Sequence, residues 1–242
     1  MALHTRLIVR LTCLVLCLLA LACSSTPDSK SQNQTDAHYD LGLSYMKEGK
    51  YQDAFVELNR ALETDHNNKL VHNALGLIHL KFEDFDKAER SFREAIDADP
   101  EFSDAHNNLG VVYTREGKWD EAIKQFQNAL KNPLYQSPEM AYYNLGNAYY
   151  RLKKYTLALK HYKDALKRAP SLYPAYYGLA LANNALEDYG EASTVIMMGI
   201  KNDPEIQGSR QKALAVFDSR MVLSTAPGEK EDYKTLIEIL HY

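Results

Sequence analysis

The sequence repeats itself about every 34 residues over most of its 242-residue length. A Leu-Gly pair, or Leu-Ala in the last copy, marks each repeat, and an alanine follows twelve residues after the glycine position. An aromatic residue lies nine positions after the same glycine. A period of this size is typical of proteins built from stacked helical units. The units stack because one unit cannot bury its apolar face alone. The five copies predicted from these columns span residues 35–68, 69–102, 103–138, 139–172 and 173–206.

Each copy contains two stretches in which apolar residues recur at helical spacing. In the first copy Ala54, Leu58 and Ala61 show this spacing, which predicts an amphipathic helix. Gly49 and Gly117 lie between the two stretches of their copies, where glycine can adopt the positive φ that ends a helix. Small residues at fixed positions let paired helices approach closely, and the aromatic column fills the space between pairs. The pattern therefore predicts an all-α solenoid of stacked helix pairs.

These columns resemble those of the tetratricopeptide repeat. The resemblance implies a right-handed superhelical solenoid in which the first helix of each copy lines the inner, concave face and contacts a partner protein. Residues 207–242 lack the repeat columns, but Tyr233, Leu236, Ile237 and Leu240 form a helical stripe. We expect this segment to be a degenerate sixth repeat that caps the solenoid.

The N-terminus has the features of a secretion signal. Arg6 and Arg10 precede an apolar run at residues 11–22, which is too short to span a bilayer. The local sequence LALAC, ending at Cys23, resembles a bacterial lipobox. The resemblance implies that residues 1–22 are a lipoprotein signal peptide and that Cys23 is lipidated. Ordinary signal cleavage that leaves a free cysteine is the alternative.

The residues after the lipobox are polar. Residues 23–34 contain no large apolar side chain, so we expect a lipidated flexible tether. Ser24 is not the aspartate that commonly retains lipoproteins in the inner membrane. The predicted location is therefore the outer membrane of a bacterium, with a lipid anchor and the protein facing the periplasm.

Composition and motifs exclude several classes of function. The formal net charge is -4, so the chain lacks the basic surface that nucleic acid binding requires. All three cysteines lie in the first 23 residues, which excludes a disulfide or a thiolate zinc site in the repeats. The sequence contains no GxGxxG, Walker, HExxH or GxSxG motif. We therefore expect no enzymatic activity, no cofactor, no metal and no small-molecule substrate.

Three histidines recur with the repeat period, at His38, His72 and His106. A metal ion needs ligands that converge on one point, whereas neighbouring helices are separated by about 8 to 10 Å. We therefore expect these side chains to pack within their own copies.

The inner-face positions predict a binding groove. Amides bond an extended backbone, tyrosines supply contact area and arginine binds a carboxylate with two hydrogen bonds. A solvated inner face, with the tyrosines serving as packing, is the alternative. The predicted partner-binding residues are Tyr39, Asn73, Asn107, Asn108, Arg115, Tyr143, Asn144, Asn147, Tyr150, Arg151 and Tyr177.

The third copy is two residues longer than the others, and the sequence NPLYQSPE lies at its junction with the fourth copy, at residues 132–139. This segment, together with the lipobox and about six repeats, resembles the type IV pilus biogenesis and stability lipoproteins, the pilotins. The resemblance implies a protein that binds the type IV pilus secretin and helps it reach the outer membrane and form its multimeric ring. Two alternatives remain: a general periplasmic scaffold for another envelope or secretion complex, and an accessory subunit that positions an enzyme.

Overall fold

The computed structural model describes residues 29–241. The predicted signal peptide at residues 1–22 and the predicted acylation site, Cys23, lie outside this range. Within it, all regular secondary structure is helical. The twelve helices of the described residues are α1 (Ser29–Lys47), α2 (Tyr51–Thr64), α3 (Lys69–Lys81), α4 (Phe85–Ala98), α5 (Ser103–Arg115), α6 (Trp119–Ala129), α7 (Pro138–Arg151), α8 (Tyr155–Arg168), α9 (Tyr173–Ala185), α10 (Tyr189–Asn202), α11 (Arg210–Leu223) and α12 (Glu229–Ile239).

The chain divides into two compact units, residues 1–66 and residues 67–242. In the described part of the first unit, α1 and α2 pack against each other as a helical hairpin. Leu58 is fully buried in this hairpin, and the hydroxyls of Thr35 and Thr64 lie 2.6 Å apart. This unit therefore contains one repeat with its own small core.

The first helix is longer than the repeat pattern predicts. It begins at Ser29, so residues 29–34, which we assigned to a flexible tether, are helical. Gln32 Nε2 donates a hydrogen bond of 3.0 Å to Asp36 Oδ1, a pair at the i, i+4 spacing that stabilises a helix. The polar segment thus extends the packed helix because its own side chains support another turn.

In the second unit, four helical hairpins follow one another and α11 and α12 complete the array. Each hairpin packs against the next, and the first helices α3, α5, α7 and α9 lie beside one another in sequence. We call the surface that these four helices form the inner face. The all-α solenoid fold predicted from the repeat pattern is confirmed.

The turn inside each hairpin requires a residue in the left-handed region. Gly49 and Gly117 have φ values of 76° and 73°, as the sequence predicts. Glu83, Lys153 and Glu187 adopt the same conformation in the other three hairpins, with φ values of 58°, 58° and 64°. The turn geometry is therefore common to all five hairpins, although only two of them carry the glycine that adopts it without strain.

Close helix approach at the core depends on glycine. Tyr162 is 1% exposed, and a Cβ atom at Gly146 would lie 2.5 Å from its ring. A Cβ at Gly178, on α9, would lie 2.4 Å from the same ring. Gly110 and Phe126 form the same pair one repeat earlier. An aromatic residue sixteen positions after the glycine thus fills the space that the glycine leaves open.

The aromatic column nine positions after the glycine was predicted to fill the space between pairs. Its first four members are only half-buried, and its last member, Tyr189, is 49% exposed.

His38 and His106 contact the second helix of their own hairpins, and His106 also contacts Pro100 at the end of the preceding copy. His38 Nδ1 lies 2.7 Å from Glu57 Oε2, and the two ring nitrogens of His106 lie 2.8 Å from Gln125 Oε1 and 3.0 Å from the Pro100 carbonyl oxygen. Between residues 29 and 241, no group of three or more His, Cys, Asp or Glu side chains is placed to hold a metal ion.

The insertion before α7 is ordered by its own side chains. The Asn132 carboxamide oxygen accepts a hydrogen bond of 2.9 Å from the backbone N–H of Leu134, and Pro138 lies in the first turn of α7.

In the part of the chain described, no helix is both long enough and apolar enough to cross a membrane.

Candidate functional site on the inner face

Asparagine side chains link the first helices across the inner face. Asn108 Nδ2 donates to Asn73 Oδ1 at 3.0 Å, and Asn144 Nδ2 donates to Asn107 Oδ1 at 3.1 Å. All four side chains are half-buried. Each bond uses one of the two amide hydrogens of its donor, so a second N–H remains for a ligand. The inner face of α3, α5 and α7 therefore presents a row of oriented amides.

Arg151 ends this row at the C-terminus of α7, where it forms an ion pair with Asp232 of α12. Both terminal nitrogens of the guanidinium donate to the carboxylate, one of them over 2.9 Å to Oδ1 and the other to Oδ2. The two side chains are 21% and 17% exposed. Burial raises the pKa of Asp232, and the hydrogen bonds from Arg151 oppose that rise. The ion pair thus joins residues 81 positions apart in the sequence.

The last helix covers the C-terminal end of the inner face. α12 packs against α9 and α10, and Leu236 is 2% exposed. Tyr233 lies beside Phe217 of α11, with 6.0 Å between the ring centroids. Residues 207–242 therefore do more than cap the last hairpin, because their final helix contributes side chains to the predicted groove.

This arrangement corrects one predicted site residue. Tyr177 was predicted to contact a partner, but it is 6% exposed and its hydroxyl donates to Asp203 Oδ2 at 2.9 Å. The ring of Phe217 packs edge-on against it, with 5.1 Å between the centroids. Tyr177 belongs to the core because α11 and α12 close over the fifth copy.

A cavity of about 300 Å³ remains between α12 and the tyrosines of α7, α8 and α9. Burial raises the pKa of Tyr150 and Tyr233 to about 12, so both phenols stay protonated at neutral pH. The Tyr162 hydroxyl donates to Asn147 Oδ1 at 2.8 Å. These neutral hydroxyls and amides form a hydrogen-bonding surface, which suits recognition of a polypeptide.

Arg115, at the end of α5, occupies the same repeat position as Arg151 but is exposed. Two further cavities meet at its side chain, of about 230 Å³ and about 380 Å³. The smaller is lined by Asn144 and Pro227 among others, and the larger by Leu77, Leu80, Phe85, Val111 and Thr225 among others. The loop between α11 and α12 thus lies along the inner face without filling it.

The second unit brings most of the predicted partner-binding residues to its inner face. They are Asn73, Asn107, Asn108, Arg115, Tyr143, Asn144, Asn147, Tyr150 and Arg151, all of them on α3, α5 or α7. Tyr39 lies half-buried on α1 in the first unit. Asp232 was missed, because a contact between distant segments leaves no local pattern, although the stripe through Tyr233 and Leu236 marked the helix that carries it.

Comparison with solved structures places the fold among known helical-repeat proteins. PilF of Pseudomonas aeruginosa superposes with a TM-score of 0.70 at 20% identity, over 86% of this chain and 90% of that one. PilW, described as a widely conserved type IV pilus biogenesis factor, gives a TM-score of 0.69 at 24% identity, over 86% and 94%. YrrB, a repeat protein with an unusual peptide-binding site, gives 0.57 at 18% identity, over 75% and 90%. These values show a shared fold.

Family models match the repeats directly, whereas no curated protein sequence matches the chain. A tetratricopeptide repeat model matches residues 73–141, 115–173 and 143–195, and a second TPR repeat model matches residues 42–81. Repeats of this kind are scaffolds for protein–protein interaction. Since the matches extend over well more than half of its length, the chain belongs to the tetratricopeptide repeat family.

Proposed function

We propose that this protein is a pilotin: a lipoprotein of the outer membrane that faces the periplasm, binds the type IV pilus secretin and promotes assembly of the secretin multimer. In this role the protein performs no chemistry. Lipid holds it at the membrane, and the inner face holds a segment of the secretin until the ring is complete.

The observation that carries this proposal is the extent of the similarity to PilF and PilW. The alignment covers 86% of this chain in both comparisons and at least 90% of each of the other chains. Similarity limited to a few repeats would indicate only a shared building block. Similarity over nearly the full length of both chains favours a shared role.

The chemistry of the inner face supports a protein partner. The linked amides of Asn73, Asn108, Asn107 and Asn144 offer hydrogen bonds to a polypeptide backbone. The exposed guanidinium of Arg115 offers a charged anchor beside them. Such polar groups next to aromatic and aliphatic side chains are typical of the residues that dominate protein interfaces.

Membrane attachment in this proposal depends on Cys23. Stable anchoring requires two or more acyl chains or an equivalent second signal, which a lipidated cysteine supplies and a polar segment does not. Replacing Cys23 with alanine should therefore release the protein into the soluble periplasmic fraction. Retention of this variant in the membrane fraction of cells that lack the secretin would contradict the lipid anchor.

Deletion of the gene in its native host tests the proposed role. We expect loss of heat-resistant secretin multimers from the outer-membrane fraction, with monomeric secretin still present, and restoration by the wild-type gene. Unchanged multimers in the deletion strain would overturn the proposal.

A general periplasmic scaffold is the second candidate, favoured by the similarity to YrrB, a repeat protein whose name specifies only a peptide-binding site. Crosslinking of the intact protein in envelope membranes, followed by mass spectrometry, separates the two roles. Capture of the secretin supports the pilotin, and consistent capture of a different envelope complex without the secretin supports the scaffold.

A further inference from the structure

Two arginines at equivalent positions of successive repeats meet different surroundings on the inner face. Arg151 binds the carboxylate of Asp232 with both terminal nitrogens. Arg115 makes no ion pair and no side-chain hydrogen bond with any residue between 29 and 241. The same repeat position therefore holds one guanidinium that is paired within the protein and one that is exposed to solvent.

The walls around Arg115 are apolar on one side. Leu77, Leu80, Phe85 and Val111 are half-buried, pack on the core of repeats two to four, and line the cavity of about 380 Å³ that reaches Arg115. The charged residues in this lining besides Arg115 are Glu83 and Lys81, both exposed. The other cavity at Arg115 is lined by Asn144 and Asn147, by Glu229 and by the paired side chains of Arg151 and Asp232. Apolar walls, amides and an unpaired cation thus converge at one place.

The contacts of α12 show which side chains the inner face binds beside an arginine. In α12, Asp232 binds the arginine while the next residue, Tyr233, and Leu236 one turn later pack against the unit's core. An acidic residue followed by apolar residues is therefore the pattern that the neighbouring part of the inner face already holds. The surface at Arg115 has complementary charge and apolar area for a second segment of the same kind.

We propose that the inner face at Arg115 is a binding site for an acidic, apolar segment of a partner protein. A carboxylate of the segment pairs with Arg115, and an adjacent apolar side chain enters the cavity formed by Leu77, Leu80 and Val111. The inference rests on the proposed function, because it places the partner on the same face, and it specifies the chemistry of the segment that is bound.

A peptide with the sequence of α12, residues 229–240, is a defined probe with the required pattern. Labelled peptide is titrated into the intact protein and binding is followed by fluorescence anisotropy. We expect saturable binding that weakens about tenfold or more with Arg115→Gln and with a peptide carrying Asp232→Asn, and that falls as salt increases. Lys124→Gln is the matched control, because Lys124 is an exposed cation on α6 outside these cavities.

Exchange of the peptide with α12 is a competing result. In a chain carrying Asp232→Asn, α12 is held less tightly, so exchange predicts tighter peptide binding to that chain and no dependence on Arg115. Three results would overturn the inference: this exchange pattern, equal binding by wild type and Arg115→Gln, or no binding at about 1 mM peptide. Because Arg115 is exposed, thermal melts of wild type and Arg115→Gln should coincide.

The two proposals fail separately. Loss of secretin multimers in the deletion strain, combined with no peptide binding, would retain the pilotin role and remove the site at Arg115. Peptide binding that depends on Arg115, combined with unchanged secretin multimers in the deletion strain, would retain the site and remove the pilotin role.

Discussion

The ion pair between Arg151 and Asp232 should hold the last helix on the inner face, and its loss should have a measurable cost. Replacing Arg151 with glutamine removes two charge-assisted hydrogen bonds and leaves a carboxylate that is only 17% exposed without its counter-ion. Breaking a fully buried pair from one side costs about 3 to 5 kcal/mol, and hydrogen bonds to charged groups contribute about 1.5 to 3 kcal/mol. Since Asp232 keeps some contact with water, we expect a destabilisation of about 2 kcal/mol.

The expected change in melting temperature follows from the size of the chain. A loss of 1 kcal/mol lowers the melting temperature by about 2 to 4 °C in proteins of 150 to 250 residues, so Arg151→Gln should lower it by about 4 to 8 °C. Urea unfolding of Arg151→Gln, Asp232→Asn and the double variant completes a double-mutant cycle. We expect a coupling energy of about 1 kcal/mol or more, because the two side chains touch each other.

Hydrogen exchange locates the effect. The amides of α12 should lose protection in Arg151→Gln while those of α5 keep it, because the pair joins α12 to α7 and does not touch α5. Additive effects of the two substitutions within about 0.5 kcal/mol, or equal loss of protection in both helices, would refute the reasoning.

Two further predictions concern the core of the second unit. Ala122→Leu should destabilise the protein by about 1 to 3 kcal/mol in urea unfolding, because Ala122 is fully buried and a larger side chain overpacks its site. Glu121→Leu, at the exposed neighbouring position, is the control and should change stability little. Equal effects of the two substitutions would contradict the packing. His161 Nδ1 is buried without a hydrogen-bond partner among the described residues, and burial lowers the pKa of His161 below its ordinary value of 6.5. As the pH falls, the unfolded state therefore binds a proton at His161 before the folded state does, so the free energy of unfolding should decrease below about pH 6.5. His161→Gln should make the free energy of unfolding depend less on pH in this range. An identical pH dependence in wild type and His161→Gln would contradict this assignment.

The repeat columns allowed the fold to be predicted from the sequence because they report local packing. Gly146 belongs to the repeated glycine column, and the ring that it contacts, Tyr162, lies 16 positions later in the same hairpin. The same contact recurs at Gly76 and Gly110, so the glycine column reports the same local packing in three copies, although the column of rings was not itself used for the prediction. The inner-face amides were predictable for the same reason, since Asn108 and Asn144 occupy the same position in successive first helices.

The features that escaped prediction arise where the repetition ends. Tyr177 occupies an inner-face position of the fifth copy, but α11 and α12 bury it, and nothing in its own repeat indicates that contact. The pairing of Asp232 with Arg151 depends on how a non-repetitive segment folds back over the inner face. The helical start at Ser29 depends on side-chain pairing in a polar segment whose composition alone suggested a tether.

The proposed role requires the inner face of the second unit to bind the secretin, and the most direct measurement is secretin capture by a variant altered only there. Asn108→Ala combined with Asn144→Ala removes both donors of the amide row. Co-purification of the secretin with this variant and with wild type is compared in the native host, alongside thermal melts of both proteins. We predict that the variant stays folded but melts a few degrees lower, because each lost neutral hydrogen bond contributes about 0.5 to 1.5 kcal/mol, and that it captures less secretin and supports fewer outer-membrane multimers. A cooperatively folded variant with wild-type levels of capture and multimers would contradict the account.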